Sequence, residues 1–423
     1  MNENEIEFSE DQVKGIKTTS EWLDSLSYYS TEESRDLMIF RVFGYAGTGK
    51  TTIIKHLIEE YQLFTSFAAF TGKAAMVMRQ HDLPAQTIHS LIYKPIPPNK
   101  KKCDELLTQA KACKDKKEKT RLYLELNEAR KVEFALLDLK DSDLAGSELL
   151  VLDECSMVNE DMLKDLLSFN VPMLVLGDPG QLPPINGVGA LVGNKPNVLL
   201  TQIHRQAADN PIIDFATRAR NQLTIPYTDQ SAARKITKAN LTNADALAAD
   251  QILTGKNATR RQINMHVRQM LNLDTKSKYP VEGEKLICLA NDRVKVSSGF
   301  DGSKTIFNGM MGVVTRVGLE LDVAIELDIR LEGIGDSLTV RALKSHFDAY
   351  DNPDALKETR WWDKRDNQEF DFGYAITVHK SQGSQWDSVI LYDDKFFSWN
   401  RTQRAQWLYT AITRASESIT IVD

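Results

Sequence analysis

The sequence predicts an α/β protein with two cores, each a parallel β-sheet covered by helices and each carrying an insertion. Short apolar runs alternate with helical patterns in the N-terminal half, and apolar runs of the same kind return near the C-terminus. Each run is followed by a polar or glycine-containing turn, as expected for strands that are buried on both faces. Two changes of composition, one Lys-rich and one rich in β-branched residues, indicate the insertions.

The apolar runs define the strands of both cores. The predicted strands of the first core are Leu37–Phe43, Phe67–Phe70, Leu149–Leu152 and Met173–Leu176. Those of the second core are Tyr374–Thr377, Val389–Tyr392 and Ile419–Val422. The peptide TTIIKHLIEEY, which follows the first strand, places its apolar residues on one helical stripe and predicts a covering helix.

Composition also sets the predicted domain boundaries. The first core comprises residues 1–92 and 144–200, and the second comprises 201–280 and 346–423. The first insertion, 93–143, begins with the proline-rich KPIPPNKKK and continues as a Lys-rich helical segment, which fits either a solvated hairpin or a surface facing nucleic acid. The second insertion, 281–345, predicts a small antiparallel barrel or meander.

Bulk composition excludes several classes of protein. The chain has 423 residues, 42% of them apolar, and a formal net charge of −7, which argues weakly against non-specific coating of nucleic acid by charge alone. It contains no apolar run of about eighteen residues and starts with an acidic peptide, so we expect neither a membrane span nor a secretory signal. Four cysteines without a CxxC pattern favour a reducing cytoplasm over a disulfide framework or zinc site.

The peptide GYAGTGKT, at residues 44–51, has the composition of a phosphate-binding loop. Its glycines let successive N–H groups face one cavity, and the helix that follows adds its positive N-terminal end. Lys50 is placed to reach the β- and γ-phosphates, and the Thr51 hydroxyl is placed to bind Mg²⁺. The predicted nucleotide contacts in this loop are Gly47, Thr48, Gly49, Lys50, Thr51 and Thr52.

Two further strand ends predict the machinery of hydrolysis. In LLVLDECS, Asp153 is suited to hold the Mg²⁺ shell and Glu154 to orient and deprotonate water, although both could simply cap the next helix. In VLGDPGQLPPI, the Gln181 amide can both donate and accept, so it can contact the γ-phosphate and the attacking water. Together with Lys50, these residues predict hydrolysis of a bound nucleotide.

The order of short motifs along the chain resembles one family. GYAGTGKT, FTGKAA, TIHS, LDECS, GDPGQLPP, IHRQ, TVHKSQG and YTAITRA follow one another as in the superfamily 1 DNA helicases. The resemblance is closest to superfamily 1B, the RecD-like enzymes that include the phage Dda helicase. It extends over nearly the whole chain, and eight motifs in order make it specific.

The resemblance implies a fold and further roles for single residues. It implies two RecA-like domains with ATP in the cleft between them, a strand-splitting pin at 93–143 and an SH3-like insertion at 281–345. Gln12 resembles the glutamine that recognises adenine, and Gly383 resembles a backbone contact to the γ-phosphate. Arg205 and Arg414 resemble the two arginines that the second domain offers to the γ-phosphate, a role that suits the always-charged, bidentate guanidinium.

A motor that moves along a strand needs phosphate-binding groups on both cores. Hydroxyls and N–H groups at strand ends bind phosphates without reading bases. The predicted strand-binding residues are Thr71, Lys73, Thr87 and His89 in the first core and Thr377, His379 and Lys380 in the second. The aromatic residues that fit either base stacking or ordinary packing are Tyr93, Tyr123, Phe134, Trp361 and Trp362.

The function predicted on this basis is that of an ATP- and Mg²⁺-dependent DNA helicase. The resemblance implies 5′ to 3′ movement on single-stranded DNA, with single-stranded and forked DNA and replication or recombination proteins as partners. One alternative is a single-stranded-DNA-binding remodelling factor that uses ATP as a switch and unwinds little. A P-loop kinase of a small acceptor is the third hypothesis, but it leaves TVHKSQG and YTAITRA without a role.

Overall fold

The computed structural model describes most of the chain. The described residues are 8–26, 37–96, 99–113, 115–129, 133–183, 189–191, 193, 195–202, 210–229, 232–271, 273, 277–295, 303–334, 336–360, 363–364, 367–396 and 398–423. Arg205, Trp361 and Trp362 lie outside them. Within the described ranges, no helix combines the length and the apolar character that crossing a membrane requires.

The first core is a six-stranded parallel sheet in the order β3-β2-β6-β7-β1-β8. Its strands are β1 (Ile39–Gly44), β2 (Thr65–Ala69), β3 (Ala85–Thr87), β6 (Leu149–Asp153), β7 (Met173–Gly177) and β8 (Val198–Leu200). Its helices are α1 (Glu10–Ser25), α2 (Lys50–Tyr61), α3 (Gly72–Gln80), α4 (Ile88–Ile92) and α7 (Glu160–Ser168). The central strands are buried on both faces, as their uninterrupted apolar sequences predict.

The first insertion leaves this sheet after α4 as a two-stranded antiparallel ribbon that carries a helical hairpin. Tyr93 pairs with Leu136 at its base and Ile96 with Glu133 further out. The ribbon consists of β4 (Tyr93–Ile96) and β5 (Glu133–Leu136), and the hairpin of α5 (Lys100–Ala112) and α6 (Lys116–Ala129). The helical pattern of the Lys-rich segment therefore belongs to a hairpin held away from the core.

The second core is a six-stranded sheet in the order β19-β11-β20-β21-β10-β9. All its pairs are parallel except the edge pair β9–β10. Its strands are β9 (Thr228–Asp229), β10 (Ala233–Ile236), β11 (Gln251–Thr254), β19 (Ala375–Thr377), β20 (Trp386–Tyr392) and β21 (Ala415–Val422). Its helices are α8 (Pro211–Arg220), α9 (Asn243–Ala248), α10 (Asn257–Met270) and α13 (Arg401–Ile412).

The two sheets share one topology. Five strands of the first core, β1, β2, β3, β6 and β7, correspond in spatial order and in chain order to β10, β11, β19, β20 and β21. Equivalent strands end in similar peptides: Thr71-Gly72-Lys73 follows β2, and Thr254-Gly255-Lys256 spans the end of β11. Likewise, Thr87 ends β3 and His89 follows it, as Thr377 ends β19 and His379 follows it. Each core thus presents the same polar groups at the same edge of its sheet.

The second insertion is a five-stranded antiparallel sheet in the order β17-β16-β15-β12-β18, with a two-stranded ribbon β13–β14. Its strands are β12 (Lys285–Cys288), β13 (Asp292–Lys295), β14 (Ser303–Ile306), β15 (Met311–Glu320), β16 (Ala324–Leu331), β17 (Ser337–Leu343) and β18 (Phe370–Phe372). The short helices α11 (Lys344–Asp348) and α12 (Ala355–Glu358) follow β17. The turn after β14 reaches back to the first core, where the Phe307 ring lies against Gly72.

The predicted fold class, an α/β protein with helix-covered parallel sheets, is confirmed. One pairing differs from the predicted division of the chain. Residues 346–423 were assigned to the second core, yet β18 pairs with β12 in the sheet of the insertion. The all-apolar pattern of a buried strand does not reveal which sheet buries it, because any core excludes water equally well.

Candidate nucleotide site and strand-binding loops

The phosphate-binding loop lies between β1 and the N-terminus of α2. Gly47 and Gly49 have φ of 76° and 75°, a left-handed conformation that glycine adopts without a steric penalty. The Lys50 ammonium turns back into the loop and donates to the carbonyl oxygens of Gly44 at 2.7 Å and Tyr45 at 3.2 Å. The predicted cation therefore already stands in the concavity, ready to exchange carbonyl oxygens for phosphate oxygens.

Gln12, the predicted adenine contact, is buried against this loop from the first turn of α1. Its amide oxygen accepts from the Ser9 N–H at 2.8 Å, and its amide nitrogen donates to the Thr48 carbonyl at 3.2 Å. The amide nitrogen lies so close to Gly49 that a Cβ there would come within 2.3 Å of it. Gln12 thus fastens α1 to the loop, and its role toward adenine stays a prediction.

Asp153 ends β6 and Glu154 follows it, at the edge of the sheet where the loop also lies. Glu154 has φ 52°, and its N–H donates to the Asp153 carboxylate at 2.7 Å. Burial raises the pKa of both carboxyls, and the proximity of Asp153 raises that of Glu154 further. Lys50 opposes both shifts, and Arg414 opposes the shift at Glu154, so both cations act on this pair. A carboxyl with a raised pKa is suited to accept a proton from water.

The loop after β7 stands beside this pair. Gln181, Asp178 and Glu154 line one small crevice. The Gln181 N–H donates to the Asp178 carbonyl at 3.2 Å, and the Gly180 N–H donates to the Asp178 carboxylate at 2.9 Å, which closes a tight turn. This turn holds the Gln181 side chain near the predicted water-activating carboxylate.

Arg414 comes from the second core and is buried at the seam between the cores. Its guanidinium donates to the Thr410 carbonyl at 3.1 Å, to the Ser384 carbonyl at 3.1 Å and to the Thr413 hydroxyl at 3.3 Å. These three acceptors belong to its own core, so the guanidinium is oriented before any phosphate arrives. The geometry suits a residue that stabilises charge during phosphoryl transfer.

Residues of both cores meet in a cleft of about 160 Å³. The first core contributes Ala74, Val77, Asp153 and Glu154, and the second contributes Gly383, Ser384, Gln385, Thr413 and Arg414. Gly383 has φ 71°, and a Cβ on it would come within 3.1 Å of the Thr71 hydroxyl. The predicted catalytic residues of the two cores are therefore brought together, apart from Arg205, which lies outside the described residues.

The residues predicted for Mg²⁺ fit that ion chemically. Thr51 and Asp153 line one cavity of about 200 Å³ next to the phosphate-binding loop. A hydroxyl and a carboxylate are the oxygen ligands that Mg²⁺ accepts, with phosphate oxygens and water completing its octahedron. The set is incomplete without a nucleotide, as is usual for a magnesium ion that enters with its phosphates.

The predicted strand-binding residues of the first core lie at two helix starts. The Thr71 and Thr87 hydroxyls cap α3 and α4 by accepting from the N–H groups of Ala74 and Ser90. The Lys73 ammonium is buried 4.6 Å from the centre of the Trp386 ring, and burial lowers its pKa to about 8. Lys73 therefore bridges to the second core in this arrangement and does not project into solvent.

His89 lies in an aromatic cluster at the base of the first insertion. Its ring centre is 6.0 Å from Phe70, 5.6 Å from Tyr93 and 5.8 Å from Phe134. Burial lowers its pKa, so the imidazole is neutral near pH 7. Phe134 is 54% exposed and can be reached by a ligand. Tyr93 donates to Asp165 and packs, whereas Tyr123 is on α6 of the helical hairpin.

The predicted strand-binding residues of the second core follow β19. Thr377 precedes the short 3₁₀ turn Val378–Ser381, and His379 packs edge-on against Trp399 at 6.4 Å. The Lys380 ammonium donates to the Asn308 side chain of the second insertion. Desolvation lowers the pKa of His379 and Lys380. The insertion thus contacts the polar loops of both cores, at Gly72 and at Lys380.

Sequence reasoning missed several residues at the seam. Tyr409, Thr410, Tyr45 and Arg220 join the two cores beside the phosphate-binding loop. The peptides GYAGTGKT and YTAITRA contain three of them, but neither the spacing nor the composition of these peptides shows that the tyrosines meet. Arg220 ends an ordinary amphipathic helix and gave no signal.

Comparison with known proteins agrees with this geometry. The AAA domain family model matches residues 31–238, and the UvrD-like helicase C-terminal domain model matches residues 372–422. The ATP-dependent RecD2 DNA helicase of Deinococcus radiodurans is 28% identical over 293 residues, which are 64% of this chain but 36% of that protein. The chain thus spans about a third of this relative's length.

Two further proteins match over most of their own length. The uncharacterized protein R530 of Acanthamoeba polyphaga mimivirus is 23% identical to this chain. The match covers 94% of that protein and 90% of this chain. One solved structure describes DNA unwinding at forked double-stranded DNA by two coordinating Pif1 helicases. Its match to this chain has a TM-score of 0.50 and 20% sequence identity, and it covers 98% of this chain and 92% of that one. This likeness supports the fold.

The two helix-covered sheets and the shared cleft define a two-core P-loop protein. The family models and the RecD2 relative support the resemblance to the RecD-like helicases of superfamily 1B that the motif series indicates. The particular likeness to the phage Dda helicase stays a prediction.

Proposed function

We propose that this protein is an ATP-dependent DNA helicase that moves 5′ to 3′ along single-stranded DNA and separates duplexes. The observation that carries the proposal is the cleft in which Arg414 of the second core acts on Glu154 of the first. Because groups of both cores surround the place where phosphate would bind, hydrolysis and the relative position of the cores are linked. The direction is proposed from the family resemblance.

In this proposal each residue has a stated task. Lys50 and the loop N–H groups hold the phosphates. Thr51 and Asp153 hold Mg²⁺, which neutralises charge on the phosphates when it is bound. Glu154 and Gln181 orient the attacking water, and Arg414 with Arg205 stabilises the charge that develops on the transferred phosphoryl group. Gln12 and Gly383 complete the nucleotide contacts.

Single-stranded DNA is the proposed track, with forked DNA as the substrate. The polar groups at the ends of β2, β3 and β19 suit phosphate contacts, because they are hydroxyls, N–H groups, imidazoles and two lysines that do not distinguish bases. The exposed Phe134 on the ribbon of the first insertion is placed to meet a duplex ahead of the cores. Replication or recombination proteins are proposed as further partners.

Strand separation on tailed duplexes tests this function directly. We expect displacement of the labelled strand from a duplex with a 5′ single-stranded tail, little from one with a 3′ tail and none from a blunt duplex. Lys50→Ala is the control and should eliminate both ATPase and displacement. ATPase stimulated by single strands without any displaced strand would instead establish the switch-like remodelling factor, and displacement only from the 3′ tail would overturn the direction.

A further inference from the structure

Tyr409, on α13 of the second core, reaches across the seam to the phosphate-binding loop. Its phenol oxygen accepts from the Ala46 N–H at 2.7 Å and donates to the Asp178 carboxylate at 2.7 Å. The side chain is fully buried, with 1% of its surface exposed. A Cβ on Gly180 would come within 2.9 Å of the Tyr409 ring, so the turn after β7 is shaped to admit it. One hydroxyl thus joins two nucleotide-site loops of the first core to the second core.

Neighbouring groups strengthen the same junction. The Thr410 hydroxyl accepts from the Leu182 N–H at 2.8 Å, which adds a second bond between α13 and the loop after β7. The Tyr45 ring meets the Tyr409 ring edge-on at 6.4 Å, and the Arg220 guanidinium lies 3.6 Å from the centre of the Tyr45 ring. A cation over an aromatic face is attractive, most strongly where water is excluded. The junction between α13 and the first core is therefore held by hydrogen bonds and ring contacts together.

The same helix positions Arg414. The guanidinium donates to the carbonyl of Thr410, the residue next to Tyr409, and Arg414 follows the end of α13 by two residues. Where α13 is seated on the first core therefore decides where the guanidinium stands relative to Glu154. A displacement of about 1 Å at a reacting phosphate is enough to cost roughly a hundredfold in rate.

We infer that Tyr409 is a positioning residue for ATP hydrolysis: its hydroxyl seats α13 on the phosphate-binding loop and on Asp178, and so sets Arg414 against the phosphate. This inference rests on the proposed function. The Tyr409 hydroxyl bonds to Ala46 and Asp178, which are not among the predicted nucleotide contacts. Its effect passes through Arg414, which distinguishes it from a residue that binds nucleotide.

Tyr409→Phe tests the inference, because it removes only the hydroxyl. At saturating oligo(dT) we expect kcat for ATP to fall about tenfold, while KM and the affinity for a fluorescent ADP analogue change less than about threefold. Tyr227→Phe is the matched control: it removes a phenol-to-carboxylate bond of 2.7 Å, to Asp423, far from the cleft. The control should keep normal turnover. Normal kcat in Tyr409→Phe would overturn the inference.

A double-mutant cycle separates positioning from general loss of structure. If Tyr409 acts through Arg414, adding Tyr409→Phe to Arg414→Ala should lower kcat less than twofold further. The same tenfold loss in both backgrounds would show that the hydroxyl acts independently and would overturn the inference. Should Tyr409→Phe fail to fold, Thr410→Ala, which removes the bond to Leu182, carries the same expectations. Absence of ATPase from the unmodified protein would instead refute the proposed function.

Discussion

At the scale of single residues, the seam brings opposite charges to one point before any ligand is present. Lys50 reaches it from the loop and Arg414 from the second core, and both counter the raised pKa of Glu154. Lys50 is also held by two carbonyl oxygens, whereas Arg414 is held by three oxygens of its own core. In the proposed function the two cations would therefore have different roles: Lys50 would bind the phosphates of the ground state, and Arg414 would be positioned for charge that appears in the transition state.

Arg414→Ala should accordingly separate binding from turnover. We expect kcat for ATP to fall by about a hundredfold or more, because the guanidinium contact strengthens in the transition state. Nucleotide affinity, measured by titration with a fluorescent ADP analogue, should change less than about threefold. Arg414→Lys should recover little, since an ammonium cannot reproduce the fork of donors. A variant that loses affinity but keeps kcat would contradict the assigned role.

The candidate catalytic residues could be proposed from sequence because each belongs to a short peptide whose chemistry is local. Lys50, Asp153 and Glu154 follow buried strands at one edge of a sheet, where ligands of such folds bind. Tyr409 could not be found that way. Its partner Ala46 lies 363 positions away, and nothing in the composition of either peptide shows the contact.

At the scale of elements, one ion-paired junction fastens the start of β18, in the sheet of the second insertion, to α11. The Glu369 carboxylate precedes β18 and accepts from His346 at 2.9 Å and from Lys364 at 3.0 Å. These contacts, the His346 bond first, lower the pKa of Glu369 to about 2. Since β18 pairs with β12 and leads to β19, the junction stands where the chain passes from the insertion to the second core.

Glu369→Gln should therefore destabilise the protein in a pH-dependent way. The folded-state pKa lies below the ordinary value of 4.5, so the stabilisation is present above about pH 5 and is lost as the pH falls toward 2. We expect the urea-unfolding midpoint to drop at pH 7, by the equivalent of about 1–2 kcal/mol after allowance for solvent screening. At pH 3, which lies well inside this window, the difference should shrink markedly. Glu282→Gln, at an exposed position in the same insertion, is the control.

An equal effect of Glu369→Gln at pH 7 and pH 3 would contradict this account. It would show that shape, not charge, matters at this junction. A similar loss in Glu282→Gln would point to a general effect of carboxylate removal. Tryptophan fluorescence and hydrogen exchange of β12 report the same transition from two positions, which matters because large proteins often unfold in more than one step.

The long apolar strands of both cores were predictable because burial on both faces demands uninterrupted apolar sequence. β3 and β8 were missed, since each has three residues and no pattern at that length is distinctive. β10 was missed because its sequence, ARKI, is not an uninterrupted apolar run. Its two central residues are half-buried cations, and only its first and last residues are buried. The helical hairpin of the first insertion was indicated by its periodicity, but the short ribbon that carries it was not.

At the scale of the whole molecule, the strand-binding loops and the nucleotide cleft are adjacent. Thr71 lies against Gly383, and the carbonyl of Ser384, one residue further, accepts from Arg414. The Lys73 ammonium lies over the Trp386 ring, and the backbone N–H of Trp386 donates to the Arg414 carbonyl at 2.9 Å. A strand that moves these loops must therefore alter the environment of the phosphate.

Nucleotide and strand should consequently change each other's affinity by the same factor. We expect a non-hydrolysable ATP analogue to alter the dissociation constant of a fluorescent oligo(dT) by at least about threefold. Saturating oligo(dT) should alter the analogue's dissociation constant equally. Fluorescence anisotropy and competition titrations on the full chain measure both. Two independent affinities would show that the contacts between Thr71 and Gly383 transmit nothing, and the proposed coupling would fail.

The relative placement of the cores was beyond sequence reasoning. It depends on contacts such as that between Tyr45 and Arg220. Tyrosine and arginine are common on protein surfaces, so the sequence does not show that these two residues meet. The resemblance to a family supplied the expectation of a shared cleft, and the structure supplied the groups that close it.

The shared topology of the two sheets has a consequence for movement. A DNA backbone offers identical phosphates at a constant interval, and here two near-copies of one grip would hold it, Thr87 with His89 and Thr377 with His379. Either set of residues can therefore bind any phosphate that the other set releases. After each cycle the protein is bound to the DNA backbone in the same way as before. For the proposed motor, displacement per cycle is thus restricted to whole nucleotides, whatever distance the cores travel in closing.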